Sequence, residues 1–322
     1  MIRLEDLTKS YETPQGPVIA VDRVSFEVGS GETCVLLGPS GCGKTTTLRM
    51  INRLVAPSAG KIYLAGRDTD TVDPVELRRG IGYVIQQIGL FPNMTVAENI
   101  GVVPRLLGWD AARRRRRAEE LLALLALPPG AFADRYPSEL SGGQAQRVGV
   151  ARALAVDPPV LLMDEPFAAL DPVNREAIQD EFLRMQQKLR KTILFVSHDI
   201  DEAVKMADRI AIFNAGRLVQ FAAPDEMLAH PADAFVASFV GRDRTLKRLR
   251  LTRVREVMTG ADDGSGDTNV PAVSADDDLR GVAALFLESD TESLRCIDAA
   301  GRVIGIVKRS AVAARLAIDD SR

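Results

Sequence analysis

Residues 33–46 constrain the fold more than any other stretch. Thr33 to Leu37 is a continuous apolar run, and Gly38-Pro39-Ser40-Gly41-Cys42-Gly43-Lys44-Thr45-Thr46 follows at once. A short run of that kind is a strand buried on both faces, which requires helices on either side of a mainly parallel sheet. Glycine, four residues, glycine, lysine and threonine, set between a buried strand and a helix, is the spacing of a phosphate loop. Its glycines let backbone N–H groups turn inward around a polyphosphate, and the helix start adds positive potential. Lys44 can then reach the outer phosphates, and the Thr45 hydroxyl can ligate Mg²⁺. Cys42 is a small residue tolerated inside the loop.

The same alternation continues along the chain. Ile81 to Ile85, Val160 to Met163, Ile193 to Val196 and Ile210 to Phe213 read as strands. Thr45 to Leu54, Ala111 to Leu127, Gln144 to Ala155 and Val173 to Leu189 read as helices between them. This is an α/β pattern with a mostly parallel sheet. Ile2 to Leu7 and Val24 to Val28 alternate with period two and predict an antiparallel part. Asn214-Ala215-Gly216 predicts a hairpin. The stretch between Lys44 and Asp164 exceeds what a βαβ unit needs, so a helical insertion is expected over about residues 87–155.

Length sets the domain count: 322 residues predict about two domains. The first is expected over 1–240, then a basic helical linker over 241–255, then a small α+β domain over 256–322. Strands there are expected at Leu294–Ile297 and Val303–Val307, helices at Leu279–Leu287 and Ala311–Ile318, and a loop over Ala261 to Asn269. The net charge of −3 leaves no nucleic-acid footprint, and Arg113 to Arg117 cover every face of a helix rather than forming one stripe. Cys34, Cys42 and Cys296 form no spaced set, which predicts a reducing compartment and no zinc site. No apolar run reaches the roughly 18 residues of a membrane span, and the N-terminus lacks a signal-peptide pattern. A cytoplasmic protein is expected, held at any membrane by another subunit.

Val160-Leu161-Leu162-Met163-Asp164-Glu165 is an apolar strand ending in two carboxylates. One can hold Mg²⁺, and the other is placed to take a proton from an attacking water. Just upstream stands Leu140-Ser141-Gly142-Gly143-Gln144. This set resembles the signature of ABC transporter ATPase subunits, with Asp164 and Glu165 as its Walker B end. The resemblance covers residues 1–240, with the motifs in family order. It implies ATP and Mg²⁺ as cofactors. Tyr11 resembles the aromatic that stacks on adenine, although plain strand packing is its bland alternative. Gln86 resembles the Q-loop glutamine, a metal contact together with Thr45 and Asp164; Gln87 is the alternative register. Asp171 resembles the D-loop aspartate, and His198 the switch histidine that senses the γ-phosphate. Gly38 through Thr46, with Ser141, Gly142, Gly143 and Gln144, are implied to hold the nucleotide, and Glu165, His198 and Lys44 to carry catalysis.

The resemblance also implies a head-to-tail pair of ATPase subunits, with Ser141 of one closing over ATP held by Lys44 of the other. A groove near Phe91 to Ile100 is implied to receive a helix of a membrane permease subunit, and a substrate-binding protein is an indirect partner. Ile81 to Pro92 and Phe239 to Leu249 are similar to the importers of quaternary amines such as glycine betaine, carnitine and choline. Val254 to Thr259 with Pro271 to Leu316 resembles a single CBS-type regulatory repeat, where such repeats normally pair. Lys308 and Ala311 stand where nucleotide-binding repeats often carry Thr and Asp. Two alternatives stay open: an ATPase of another importer, for amino acids or methionine, and a soluble non-transport ABC ATPase.

Overall fold

In a computed structural model, residues 1–86, 89–168, 170–260, 270–289, 291–298 and 300–316 are described, apart from the side chains of 172–174. The expected Ala261 to Asn269 loop and the Gln87 register lie outside them. Packing divides the chain into two compact units. One comprises Met1–Asp199 and Met206–Phe221; the other comprises Ile200–Lys205 and Ala222–Arg322.

The first unit carries β1 (Ile2–Thr13), β2 (Gly16–Val28), β3 (Thr33–Leu37), β4 (Ala59–Leu64), β5 (Arg67–Asp68), β6 (Ile81–Val84), β7 (Val160–Asp164), β8 (Thr192–Val196), β9 (Arg209–Asn214) and β10 (Arg217–Ala222). One sheet has the order β2-β1-β4-β5, with antiparallel pairs. The other has the order β10-β9-β3-β8-β7-β6 and is parallel from β9 to β6. Every residue of β3, β7 and β8 is buried, as an apolar run without alternation requires. Val196 pairs with Leu36 of β3 and with Asp164 of β7, so these three strands end level with one another. The loops that leave them, at 38, 165 and 197, therefore emerge from one sheet edge.

The two sheets share one core, in which Leu4 and Phe26 join Leu36, Leu162 and Leu194. Helix Lys44–Ile51 is pinned into it by Leu48, Met50 and Ile51, all with no exposed surface. Each such side chain contributes roughly 1.5–3 kcal/mol by leaving water. This helix stops three residues short of the expected Leu54, because Arg53 takes a left-handed φ of 48°. Helix Ala111–Leu124 likewise ends before Leu127, with Ala126 at φ 53°. β4 was not expected from the sequence; its Ala-Gly-Lys start masks a strand that is fixed by pairing with β1. Between β6 and β7 the described residues hold helices Val96–Ile100, Val102–Leu106, Ala111–Leu124, Pro129–Phe132 and Gly142–Leu154.

The arginine run is partly solvated, with Arg113 and Arg116 exposed and Arg117 paired with Glu120, and partly tied into this helical part. Arg114 donates to the Trp109 carbonyl, Arg117 to those of Leu154 and Ala155, and Arg115 pairs with Glu119 and Asp134. Arg113 stacks on the Trp109 ring.

The second unit contains helices Pro224–Ala229, Ala234–Val240 and Arg244–Arg248, then β11 (Thr259–Gly260), β12 (Ala272–Ser274), β13 (Ser293–Ile297) and β14 (Val303–Lys308), with helices Leu279–Glu288 and Arg309–Leu316. Its sheet runs β11-β14-β13-β12. The expected strands and helices of this α+β part are present within two residues, apart from the end of the expected Ala311–Ile318 helix, which lies outside the described residues. The basic segment is not a free linker. Leu249 and Val254 belong to the core of this unit with Leu279, Phe286 and Leu294. Lys247 is buried too, its ammonium held by the Val240 carbonyl at 3.0 Å and by Asp243. Helix Pro224–Ala229 packs on Arg244–Arg248, so the packing boundary falls at 221/222 rather than at 240.

Candidate functional site

The phosphate loop closes on the core through its two glycines with the least room. Gly43, at φ 102°, faces the Ala20 carbonyl of β2, and Gly38, at φ 141°, faces that of Phe213 in β9; a Cβ at either would collide with backbone. The Cys42 carbonyl accepts the Gly216 N–H at 3.2 Å, and the Gly216 carbonyl accepts the Asp22 N–H at 2.8 Å. The β9–β10 turn, with Ala215 and Gly216 both at positive φ, thus props the loop. Nothing in the loop sequence pointed to that prop.

Within the loop, Pro39, Ser40 and Gly41 are exposed, while Cys42, Gly43 and Lys44 are buried and Thr45 and Thr46 half-buried. The Lys44 ammonium donates to the Gly38 and Pro39 carbonyls at 2.7 and 2.9 Å. The Thr45 hydroxyl donates to Asp164 Oδ1 at 2.9 Å. Burial pushes the Asp164 carboxyl above the usual range, and the neighbouring Glu165 charge adds to this; Thr45, Arg49 and Lys44 oppose it.

The backbone places Glu165 directly. Its N–H donates to the Val196 carbonyl at 3.1 Å, and its φ of 46° turns the chain out of β7. Gln86 Nε2 donates to Glu165 Oε2 at 2.9 Å, and His198 Nδ1 lies 3.7 Å from the same oxygen. Three residues 112 positions apart at the extremes meet on one carboxylate atom. Gln86, grouped by the sequence with Thr45 and Asp164 as a metal contact, is bonded here to Glu165.

Ser141 and Gln144 form a reciprocal cap on helix Gly142–Leu154. Ser141 Oγ accepts the Gln144 N–H at 3.3 Å, and Gln144 Oε1 accepts the Ser141 N–H at 2.9 Å. Ser141 and Gly142 are exposed. Gly143 has a packing reason: a Cβ there would stand 2.8 Å from Ile178 Cδ1. Among the described residues, no hydrogen bond or ion pair links 141–144 to 38–46, 164–165 or 198. Asp171 is exposed; its carbonyl accepts the Arg175 N–H at 2.9 Å, and Arg175 Nη2 donates to the Leu170 carbonyl at 2.9 Å. Arg175 also stands 4.0 Å from Asp199, next to His198. The sequence had singled out neither Arg175 nor the exposed pair Val18 and Ile19. Tyr11 pairs with Val18 and Ser10 with Ile19 across β1 and β2. Tyr11, Val18 and Ile19 are 40%, 52% and 56% exposed; the Tyr11–Val18 pair lies on one face of the hairpin and Ile19 on the other, just ahead of Ala20, whose carbonyl faces Gly43. Lys9 lies over the Tyr11 ring at 5.0 Å.

A sequence profile of ABC transporters matches residues 21–168. The osmoprotectant import ATP-binding protein OsmV of Salmonella typhimurium is 57% identical over 96% of this chain and 79% of its own length. The chain belongs to the ABC transporter family. Within this family of ATPases it is also 49% identical to the glycine betaine/carnitine/choline transport ATP-binding protein OpuCA of Bacillus subtilis, over 92% of this chain and 76% of that one. A solved ATP-binding cassette, described as a dimer in a post-hydrolysis state bound to ADP and Pi, superposes with a TM-score of 0.62 at 35% identity. It covers 69% of this chain and 98% of its own. This ABC subunit thus carries the ATP-hydrolysing cassette fold and binds ATP. Among its described residues no helix is long and apolar enough to cross a membrane.

Proposed function

We propose that the chain is the motor of an importer for quaternary amines, hydrolysing ATP between two head-to-tail copies bound to the cytoplasmic side of membrane permease subunits. The observation that carries this reading is the convergence of Gln86 and His198 on Glu165 Oε2 beside the Thr45–Asp164 pair. In the proposed step Glu165 takes a proton from water while the water oxygen attacks the γ-phosphorus. The bond from that phosphorus to the β-phosphate oxygen breaks, and ADP and phosphate result. Gln86 and His198 hold the carboxylate on line. Lys44 exchanges the Gly38 and Pro39 carbonyls for phosphate oxygens, and Tyr11 receives the adenine.

The residues present fit Mg²⁺. Thr45 and Asp164 offer a hydroxyl and one carboxylate already in contact, and the described residues hold no cluster of three His, Cys, Asp or Glu that would suit a different metal. When bound, the ion would neutralise phosphate charge. Its own charge would also stabilise the ionised form of Asp164, which burial disfavours.

Ser141, Gly142, Gly143 and Gln144 are exposed or half-buried at a helix start, where N–H groups favour an anion. In this reading they close over the nucleotide of the second copy, with Asp171 at the same junction. The single CBS-like repeat is read as a regulatory unit. Cargo is read from the relatives, several of which are named as glycine betaine, choline or carnitine transport proteins. The test is uptake of labelled glycine betaine, choline and carnitine by vesicles holding the full transporter. ATP-dependent uptake of at least one, abolished by Glu165→Gln, is expected. Uptake of none, with hydrolysis intact, overturns the cargo reading.

A further inference from the structure

Asn99 is a polar side chain with no exposed surface in the helical part, and its hydrogen bonds go to Phe91, Met94 and Thr95 rather than to the phosphate-site residues. Its amide is fully used. Oδ1 accepts the Phe91 N–H at 2.8 Å. Nδ2 donates to the carbonyls of Phe91, Met94 and Thr95 at 3.1, 3.0 and 3.0 Å. One side chain thus ties both ends of the 91–95 loop to helix Val96–Ile100. The loop is braced twice more. Thr95 and Glu98 cap that helix reciprocally, and the Val96 and Ala97 N–H groups donate to the Arg135 and Ala133 carbonyls. Upstream, Arg152 of the helix that follows Ser141 donates to the Gly89 carbonyl at 2.7 Å.

What this scaffold presents is an aromatic ring. Phe91 is 43% exposed, and Pro92 and Asn93 beside it are exposed as well. A loop of five residues with an exposed ring ordinarily gains entropy by moving, so four hydrogen bonds from one buried amide mark a shape that is maintained. The loop also begins five residues after Gln86, whose amide holds Glu165.

We infer that Asn99 is a positioning residue that makes the Phe91–Thr95 loop a rigid anchor, so that a push from the membrane subunit reaches the helical part and Gln86 instead of being absorbed in the loop. This rests on the proposed docking of a permease helix near Phe91 to Ile100. The chemistry expected of that partner is an amphipathic helix offering an apolar pocket to the Phe91 ring.

The experiment compares Phe91→Ala, Asn99→Ala and Asn99→Leu in two assays: ATP hydrolysis by the isolated subunit, and solute uptake per ATP by the full transporter in vesicles. Leucine fills the volume of Asn99 but supplies no donor. Both Asn99 variants should hydrolyse ATP alone within about threefold of wild type, yet lose at least about fivefold in uptake per ATP, because the Met94 carbonyl and the Phe91 N–H lose their partner, the Phe91 and Thr95 carbonyls keep only their backbone bonds, and the loop relaxes. If Asn99→Ala fails the first criterion, Asn99→Ser, which keeps one donor, is held to the same two thresholds. Wild-type coupling by Asn99→Leu, with coupling lost in Phe91→Ala, overturns the inference while sparing the docking site. Wild-type coupling by Phe91→Ala overturns the docking reading itself.

Discussion

The phosphate loop and the Ser141 segment belong to one chain and are built on opposite principles. Cys42 to Lys44 are buried, and each end of the loop is tied to strands: Gly38 against β9, Cys42 to the β9–β10 turn, Thr45 to the end of β7. Ser141 and Gly142 are exposed, and among the described residues the side chains of Ser141 and Gln144 bond to the start of their own helix. A cap of that kind is worth about 1 kcal/mol, so a phosphate oxygen can displace it at small cost. In the proposed function, the difference separates the half of the site finished within the subunit from the half offered outward.

The contrast breaks most visibly at Glu165. Glu165→Gln keeps the shape and the partners on Gln86 but removes the base, so steady-state hydrolysis should fall about 10²–10⁴-fold with ATP still bound. Near-normal turnover would remove Glu165 from the chemistry. Lys44→Ala comes next. Losing a charged donor to the phosphates should weaken ATP binding by about 10–100-fold, as read by nucleotide titration. Ser141→Ala should leave that titration unchanged in the isolated subunit, while lowering hydrolysis and costing about 0.5–2 kcal/mol of local helix stability through the lost cap. Equal losses of ATP affinity in the Lys44 and Ser141 variants would erase the distinction between the two regions.

The smallest effect sharpens the buried side. Because burial raises the Asp164 carboxyl, its ionised form costs the folded state stability. That cost is absent below the unfolded carboxyl range, near pH 4, and appears as pH rises through the raised value. Asp164→Asn should therefore melt higher than wild type at neutral pH, with the gap closing toward pH 4. About 1 kcal/mol would move the midpoint by roughly 2–4 °C. Hydrolysis by this variant should nonetheless be lost. A variant that melts lower at pH 7 would show that the Thr45, Lys44 and Arg49 contacts outweigh burial.

Much of this was legible because apolar runs and phosphate-loop spacing report burial and backbone shape directly. β3, β7 and β8 read as doubly covered strands and are so. Three things were hidden, each for a physical reason. The partnership of Gln86 with Glu165 arises from a side chain reaching across a sheet edge, which spacing along the chain does not encode. The place of Leu249 and Val254 in a core was masked by the arginines and lysine around them, which read as a solvated linker. Asn99 carried no signal in the sequence; only the Phe91 N–H and the carbonyls of Phe91, Met94 and Thr95, brought back by the loop, give its amide four partners.

The central claim, that one nucleotide site is shared between the loop of one subunit and the Ser141 segment of another, is tested most directly by mixing two inactive variants. Lys44→Ala damages only the loop, and Ser141→Arg only the outward segment. In a head-to-tail pair of one of each, both lesions fall in the same site and the second site keeps an intact Lys44 and an intact Ser141. The account predicts that ATP hydrolysis, near background for either variant alone, reappears when the two are mixed. A mixture as inactive as its parts would contradict it.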